Sequence, residues 1–347
     1  MLFSKRVQLY TLNDPLSNRQ LQFKHNPGIT ISIYTSYFFA TMLKIGILYS
    51  ESKFTPWKEN IDTETLISLY RALPKNCTGT IIHMTQPNRD MADLLRRFNL
   101  IINVCYGFDS YNQADIATWL DENNITHLSS GGAQQQKAQD KLWVEQHLQQ
   151  KGLFVPVSLE NANNLHHDFY ISKPRFGGCH RGIEIFTAEE VPIHFDTCTS
   201  ENKLIQPYLM GREFSIAIIP TEDGTQYEAL PPLEVIPFPK RDIYLAGQSH
   251  GKTRKSYFPN ITSENLDVLS DAAVSAHNAL DLQFMSRIDI RWVNNTPYIL
   301  DVNTMPNLHP RKSMLPGLLK VHKIGLSSLL KRSIAMATNS TPLIGIQ

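Results

Sequence analysis

The sequence predicts an α/β protein built from more than one domain, and three patterns carry that reading. Short apolar runs alternate with helical patterns between residues 43 and 140. A glycine-bearing loop follows a strand-like run at 169–173. Residues 287–303 read as a hairpin with Arg287 and Asp289 two positions apart on one strand and Asp301 and Asn303 two apart on the other.

Taken in order, 45–49 is a short apolar run of the kind a buried parallel strand shows. Residues 63–73 place Leu66, Leu69 and Leu73 on one helical side and stop at Pro74. A strand at 80–84, a helix at 91–98, a strong strand at 100–104 and a helix at 113–122 complete a doubly wound domain. Gly131-Gly132 marks a turn, and 140–150 is a helix ending near Gly152. Two strand-like runs fill 204–220, with Gly211 between them. A long polar loop at 240–256 precedes a helix at 263–280 and the hairpin.

The chain has 347 residues, enough for two or three domains with their own cores. It is 42% hydrophobic and 19% charged, an ordinary globular composition. Lys plus Arg number 33 against 32 Asp plus Glu, which leaves no basic footprint for nucleic acid. The four cysteines are scattered, without a CxxC pair, and read as reduced thiols in a cytoplasmic protein. The uncharged stretch 28–43 is interrupted by Ser, Thr and Tyr and is shorter than the roughly 20 apolar residues of a membrane span. Met42 opens what reads as the natural first strand. Residues 1–42 are therefore expected to be an N-terminal extension, an appendage or an upstream misread start, which native mass spectrometry would test by seeking peptides from 1–41.

On the hairpin, Arg287 and Asp289 share one face, while Ile299, Asp301 and Asn303 share a face of the return strand. A three-residue loop, Asn294 to Thr296, sets Asp289 opposite Asp301 and Arg287 opposite Asn303. Two opposed carboxylates repel, and a hard cation offsets that repulsion. Asp289, Asp301 and Asn303 thus form a candidate Mg²⁺ set, with Arg287 placed to stabilise an oxyanion. Taken alone, the pattern fits a solvent-facing strand equally well. In the loop after Ser172, glycines let amides approach phosphate and Lys173 adds charge, although a plain turn also contains such glycines. The run from Gln206 to Glu213, with its glycine turn, suits a nucleotide hinge or an ordinary connection.

Together, and in this order, these segments resemble the ATP-grasp superfamily, within it the D-alanine–D-alanine ligase-like enzymes, over roughly residues 43–330. Arg287-Ile-Asp with Tyr-Ile-Leu-Asp-Val-Asn-Thr-Met-Pro and Ser313-Met-Leu-Pro resembles the family's carboxy-terminal signature. The resemblance implies an ATP-grasp fold with an N-terminal Rossmann-like pre-ATP-grasp domain at 43–140. It further implies a central lid at 141–215, a catalytic domain at 216–335 and a tail at 336–347.

It implies ATP contacts from Lys141, Lys173, Gly178 and Cys179, an adenine pocket at Gln206 and Leu209, and a ribose contact from Glu213. Two Mg²⁺ ions, or Mn²⁺, would sit on Asp289, Asp301 and Asn303. Arg287 and the Asn307 amide would stabilise the tetrahedral intermediate, and Ser313 with Met314 would lie near the second substrate's carboxylate. The implied activity joins a small-molecule carboxylate to an amine, amino acids included, through an acyl phosphate. A homodimer is common in the family, and neither nucleic acid nor membrane is expected as a partner.

The chain departs from the family on the substrate side. Tyr49-Ser-Glu-Ser-Lys replaces the family's glycine pair and Ser-x-Glu element. Gln248-Ser249 stands where the family has Lys-Tyr, leaving Lys252 or Lys255 to supply that charge, and Gln206 replaces a glutamate. His309, Arg311 and Lys312 offer charges suited to a substrate carboxylate. The rival expectation is a degenerate nucleotide-binding module without ligation.

Overall fold

A computed structural model describes residues 42–51, 62–108, 110–163, 165–177, 182–237 and 253–340. The expected extension at 1–41, the loop residues Gly178 and Cys179, and the run Gln248–Ser249 with Lys252 lie outside the described residues.

The first layer is parallel. β1 (Leu43–Tyr49), β2 (Cys77–His83) and β3 (Leu100–Asn103) stack in the order β2-β1-β3, with α1 (Thr63–Ala72) and α2 (Arg89–Leu95) as crossovers. Ile45, Ile47, Leu48, Ile101 and Ile102 are buried on both faces, as continuous apolar strands require. A two-rung hairpin, β4 (Gly107–Phe108) with β5 (Tyr111–Asn112), leads into α3 (Gln113–Glu122). Asn112 and Asp115 close a capping box at its start.

Gly131-Gly132 is not a turn, as the sequence suggested, but the start of a helix. Gly131 caps α4 (Gly132–Gln139), and the Gly132 amide donates to Asp121 Oδ2 at 2.7 Å. A Cβ on Gly132 would meet the Thr118 backbone at 2.3 Å, so α3 and α4 pack this closely only through glycine. Next, α5 (Lys141–Gln150) is capped by Asp140.

A small antiparallel sheet follows. β6 (Phe169–Pro174), β7 (Glu184–Thr187) and β8 (Lys203–Pro207) run in the order β7-β6-β8, backed by α6 (Val191–Ser200). Tyr170, Phe186, Val191, Cys198 and Ile205 make its separate core.

The large sheet is antiparallel throughout. It contains β9 (Arg212–Pro220), β10 (Tyr227–Ala229), β11 (Leu233–Pro237), β12 (Thr253–Ser256), β13 (Ser286–Val293) and β14 (Thr296–Asn303). The path is β12-β11-β9-β13-β14, with β10 against β9. β12 occupies the end of what the sequence presented as loop. Gly211 enters β9 so close to β13 that a Cβ would lie 2.3 Å from the Trp292 carbonyl oxygen. β9 runs unbroken through residue 215, while the small sheet ends at Pro207.

One face of this sheet, with Phe214, Ile216, Ile218, Ile288 and Ile290, packs on α7 (Ser263–Ala279) and α5. The other face changes character along β9. Ala217 and Ile219 join a core shared with β1, β3 and α1, and with α8 (Met314–Val321) and α9 (Leu326–Ser340). Glu213 and Ser215, earlier on the same face, do not. That polar half is where the site forms.

Candidate active site

The register of the hairpin decides the site. Asp289 pairs with Asp301 and Arg287 with Asn303, as the alternation required. The loop is different from the expected one. Val293 pairs with Thr296, so the turn has two residues, Asn294 and Asn295, with φ of 47° and 62°. Two left-handed residues make the primed turn whose twist suits a hairpin. A two-residue turn alone would set Asp289 opposite Leu300. A β-bulge between the Asp289–Asp301 and Ile290–Ile299 pairs absorbs Leu300 and restores the carboxylate pair. The bulge has a second use: the Leu300 carbonyl accepts a hydrogen bond from Lys173 Nζ at 3.2 Å. Lys173 thus reaches from β6 of the small sheet onto the hairpin.

Neighbouring strands extend the polar face. Ser215 stands beside Asp289, and Glu213 beside Arg291. Ser215 Oγ donates to Asp289 Oδ1 at 2.6 Å, and Arg287 grips both oxygens of Asp289 at 3.0 and 2.9 Å. A carboxylate offers about four lone-pair sites, so one on Oδ2 is left. Arg291 donates to Glu213 Oε2 at 2.8 Å in a buried pair and stacks over Tyr208 at 5.4 Å. Burial, with help from the Asp289 charge, pushes the Glu213 carboxyl up to about 7 against the pull of Arg291 and Arg287. On β12, Lys255 stands opposite Val235, itself opposite Glu213, so it shares this face. Desolvation and the Arg287 charge lower its ammonium pKa.

Of the sequence-predicted nucleotide residues, Lys173 reaches from the small sheet to the large one. Burial pushes the Lys173 ammonium down to about 8, with Asp301 opposing and Lys141 adding to the shift. Lys141 Nζ donates to the Gly177 carbonyl, and its own amide donates to the Arg175 carbonyl at 3.1 Å. Gln206 is buried, and its amide nitrogen donates to Glu145 at 2.7 Å and to the Pro156 carbonyl at 2.8 Å. Glu145 also accepts from the Ser158 amide and hydroxyl at 2.8 and 2.6 Å. Leu209 is half-buried in the connection between the sheets. Glu213, expected at a ribose, has Arg291 as its partner in this structure.

After β14 the chain loops to α8. Asn307 Oδ1 accepts from the His309 amide at 2.8 Å and from Ser313 Oγ at 2.7 Å. His309, Arg311 and Lys312 face protein carboxylates, Asp62 and Glu64 at the start of α1. Burial acts to raise the Asp62 pKa, but the Thr65 amide and hydroxyl, with neighbouring His309 and Lys312, hold it low.

Sequence reasoning set Arg287 opposite Asn303 and Asp289 opposite Asp301, as the structure does, and did not single out Ser215, Arg291 or Glu145. Arg291 was legible in principle, since it lies two residues beyond Asp289 and so on the same face. Ser215 and Glu145 carry no local signal, because their partners are 74 and 61 residues away.

A metal fits the donor set. Among the described residues no three His, Cys, Asp or Glu are arranged to hold a metal ion by themselves. Asp289, Asp301 and Asn303 nevertheless offer only oxygens from one face, which suits Mg²⁺ rather than a softer ion.

Residues 171–335 match the family model described as D-ala D-ala ligase C-terminus. A D-alanine–D-alanine ligase of Geobacillus thermodenitrificans is 32% identical over 135 residues, 39% of this chain and 36% of that protein. One from Halalkalibacterium halodurans is 26% identical over 210 residues, 55% of this chain and 67% of that one. The chain matches only about a third of the first relative's length. Among solved structures, a D-alanine–D-alanine ligase from Bacillus anthracis complexed with ATP is similar at a TM-score of 0.64 and 18% identity. That match covers 86% of this chain and 98% of the other. The VanG D-Ala:D-Ser ligase from Enterococcus faecalis is similar at 0.69 and 14% identity, covering 85% and 99%.

Proposed function

We propose that this chain, which has the ATP-grasp fold and whose residues 171–335 match the D-ala D-ala ligase C-terminus model, is an ATP- and Mg²⁺-dependent carboxylate–amine ligase. The observation that carries this is the polar half-face of the large sheet. There Arg287, the Asp289–Asp301 pair and Asn303 meet Lys173 arriving from the small sheet.

A substrate carboxylate oxygen attacks the γ-phosphorus of ATP, and ADP leaves. The acyl phosphate is then attacked at its acyl carbon by an amine nitrogen. The carbon–oxygen bond to phosphate breaks, inorganic phosphate departs and the amine loses a proton. Lys141 and Lys173 hold phosphate oxygens, and below pH 8 the Lys173 ammonium keeps its proton. Arg287, oriented by its two bonds to Asp289, would stabilise the oxyanion at the acyl carbon. Asp289, Asp301 and Asn303 would hold Mg²⁺, which when bound neutralises phosphate charge. The acyl phosphate hydrolyses in water, so closing the small sheet over the large one serves to exclude solvent.

Small molecules, amino acids among them, are the proposed substrates, with D-alanine disfavoured as the first. Tyr49-Ser50-Glu51 at the end of β1, without glycine, supports that difference. Incubation with ATP, Mg²⁺ and an amino-acid panel should release ADP and phosphate with at least one pair. Release with none, alongside Mg²⁺-dependent ATP binding, would instead establish a binding protein.

A further inference from the structure

The loop that carries Asn307, residues 304–313, is held from the N-terminal layer at two places. Near its start, Gln113 Nε2 from the first turn of α3 donates to Thr304 Oγ1 at 3.0 Å. Further on, His309 Nε2 lies 2.6 Å from Asp62 Oδ2, the residue that caps α1. Asn307 lies between the two clamps.

His309 is buried, and its ring is oriented by backbone. Nδ1 accepts from the Arg311 and Lys312 amides at 3.1 and 3.3 Å. A nitrogen that accepts two amide protons carries none itself, so the ring proton sits on Nε2 and points at Asp62. The His309 amide donates to Asn307 Oδ1, and the same oxygen takes the Ser313 hydroxyl. Displacing the imidazole therefore displaces Asn307 and the cap of α8 together. The outer pair of the cluster, Arg311 with Glu64, lies on exposed side chains and is worth little.

We propose that His309 is a positioning residue for amine capture: through its Nε2–H bond to Asp62 it registers the Asn307–Ser313 loop against the N-terminal layer. The inference rests on the ligase reading. It concerns the second half-reaction alone, in which the amine nitrogen bonds to the acyl carbon, phosphate leaves and the amine proton is released. Formation of the acyl phosphate uses the sheet residues, which this loop does not hold.

The two half-reactions separate with hydroxylamine, which traps an acyl phosphate as a hydroxamate without needing the acceptor subsite. His309→Ala should lower kcat/KM for the amine by about 100-fold, the cost of a misplacement on the order of 1 Å. The KM for ATP and the rate of hydroxamate formation should stay within twofold of the unmodified enzyme. Asp62→Asn keeps an equally good helix cap but loses the charged acceptor, and should show the same split more weakly. His309→Gln, which keeps a donor, should recover part of the loss. Should His309→Ala and Asp62→Asn both leave amine kcat/KM within twofold, or lower hydroxamate and amide equally, the positioning role is overturned. Silence of the unmodified enzyme in both assays sinks the ligase reading, and this inference with it.

Discussion

Single residues in this protein draw their properties from what is packed on them. Arg287 is one to which the proposed ligase gives a role, and its guanidinium is held on Asp289 by two bonds. Arg287→Met should lower kcat about 100- to 1,000-fold with the melting temperature little changed, because the loss is of a donor to a developing charge. His277 is a purely structural counterpart. It is fully buried between α7 and β13, with Nδ1 bonded to Ser286 Oγ at 2.8 Å and Tyr227 packed 4.2 Å from its ring. Burial pushes its imidazole down to about 4, so between about 4 and 6.5 the unfolded chain binds a proton that the folded one refuses. Stability should therefore fall as pH drops through that window, by on the order of 3 kcal/mol if the fold persists to its end. Denaturant titrations at pH 7 and pH 5 should show a shallower acid slope in His277→Asn. An equal slope would assign the acid sensitivity elsewhere.

At the scale of elements, periodicity was legible and exceptions to periodicity were not. The alternation of Arg287, Asp289 and Ile288, Ile290 gave the two faces of β13 correctly, because each face meets a different environment. The bulge at Leu300 was not legible, since no glycine or proline marks it and its cause is the pairing itself. Two offsets cancelled: a turn one residue shorter than expected and one residue absorbed by the ladder. α6 was missed for another reason. Val191-Pro-Ile-His-Phe-Asp-Thr-Cys-Thr-Ser contains poor helix formers, and the helix exists because Val191 and Cys198 pack on the small sheet. The turn offers a direct check of the observed hairpin. Asn295 holds a φ of 62°, which glycine adopts without a Cβ penalty. Asn295→Gly should stabilise the protein by about 0.5 kcal/mol, read as a higher denaturant midpoint at unchanged slope. A three-residue loop ending at Thr296 would not predict that gain.

For the whole molecule, the decisive arrangement is the sharing of one apolar core between the parallel layer and the large sheet, while the small sheet keeps its own. The expected border at residue 215 falls inside β9, and the connection from Tyr208 to Gly211 joins the small sheet to the large one. Lys173 stands on the small-sheet side of that junction, Lys141 opens α5 beside it, and the carboxylates lie on the large sheet. A nucleotide with Mg²⁺ bridging them should stabilise the fold by about 2.7 kcal/mol at a hundred times its dissociation constant. Thermal melting should rise with ATP and Mg²⁺ together and less with ATP alone. Asp289→Asn should abolish the metal-dependent part, and a rise indifferent to Mg²⁺ would remove Asp289 and Asp301 from nucleotide binding.

The bulge also bears on how such a site changes over generations. Because the turn and the ladder each carry a one-residue offset, losing the single codon for Leu300 would straighten the strand yet leave Asp289 facing Asp301. What disappears is the carbonyl that receives Lys173. The opposed carboxylates and the lysine latch are thus separable by one in-frame deletion, a route by which a descendant could release Lys173 without altering Asp289, Asp301 or Asn303.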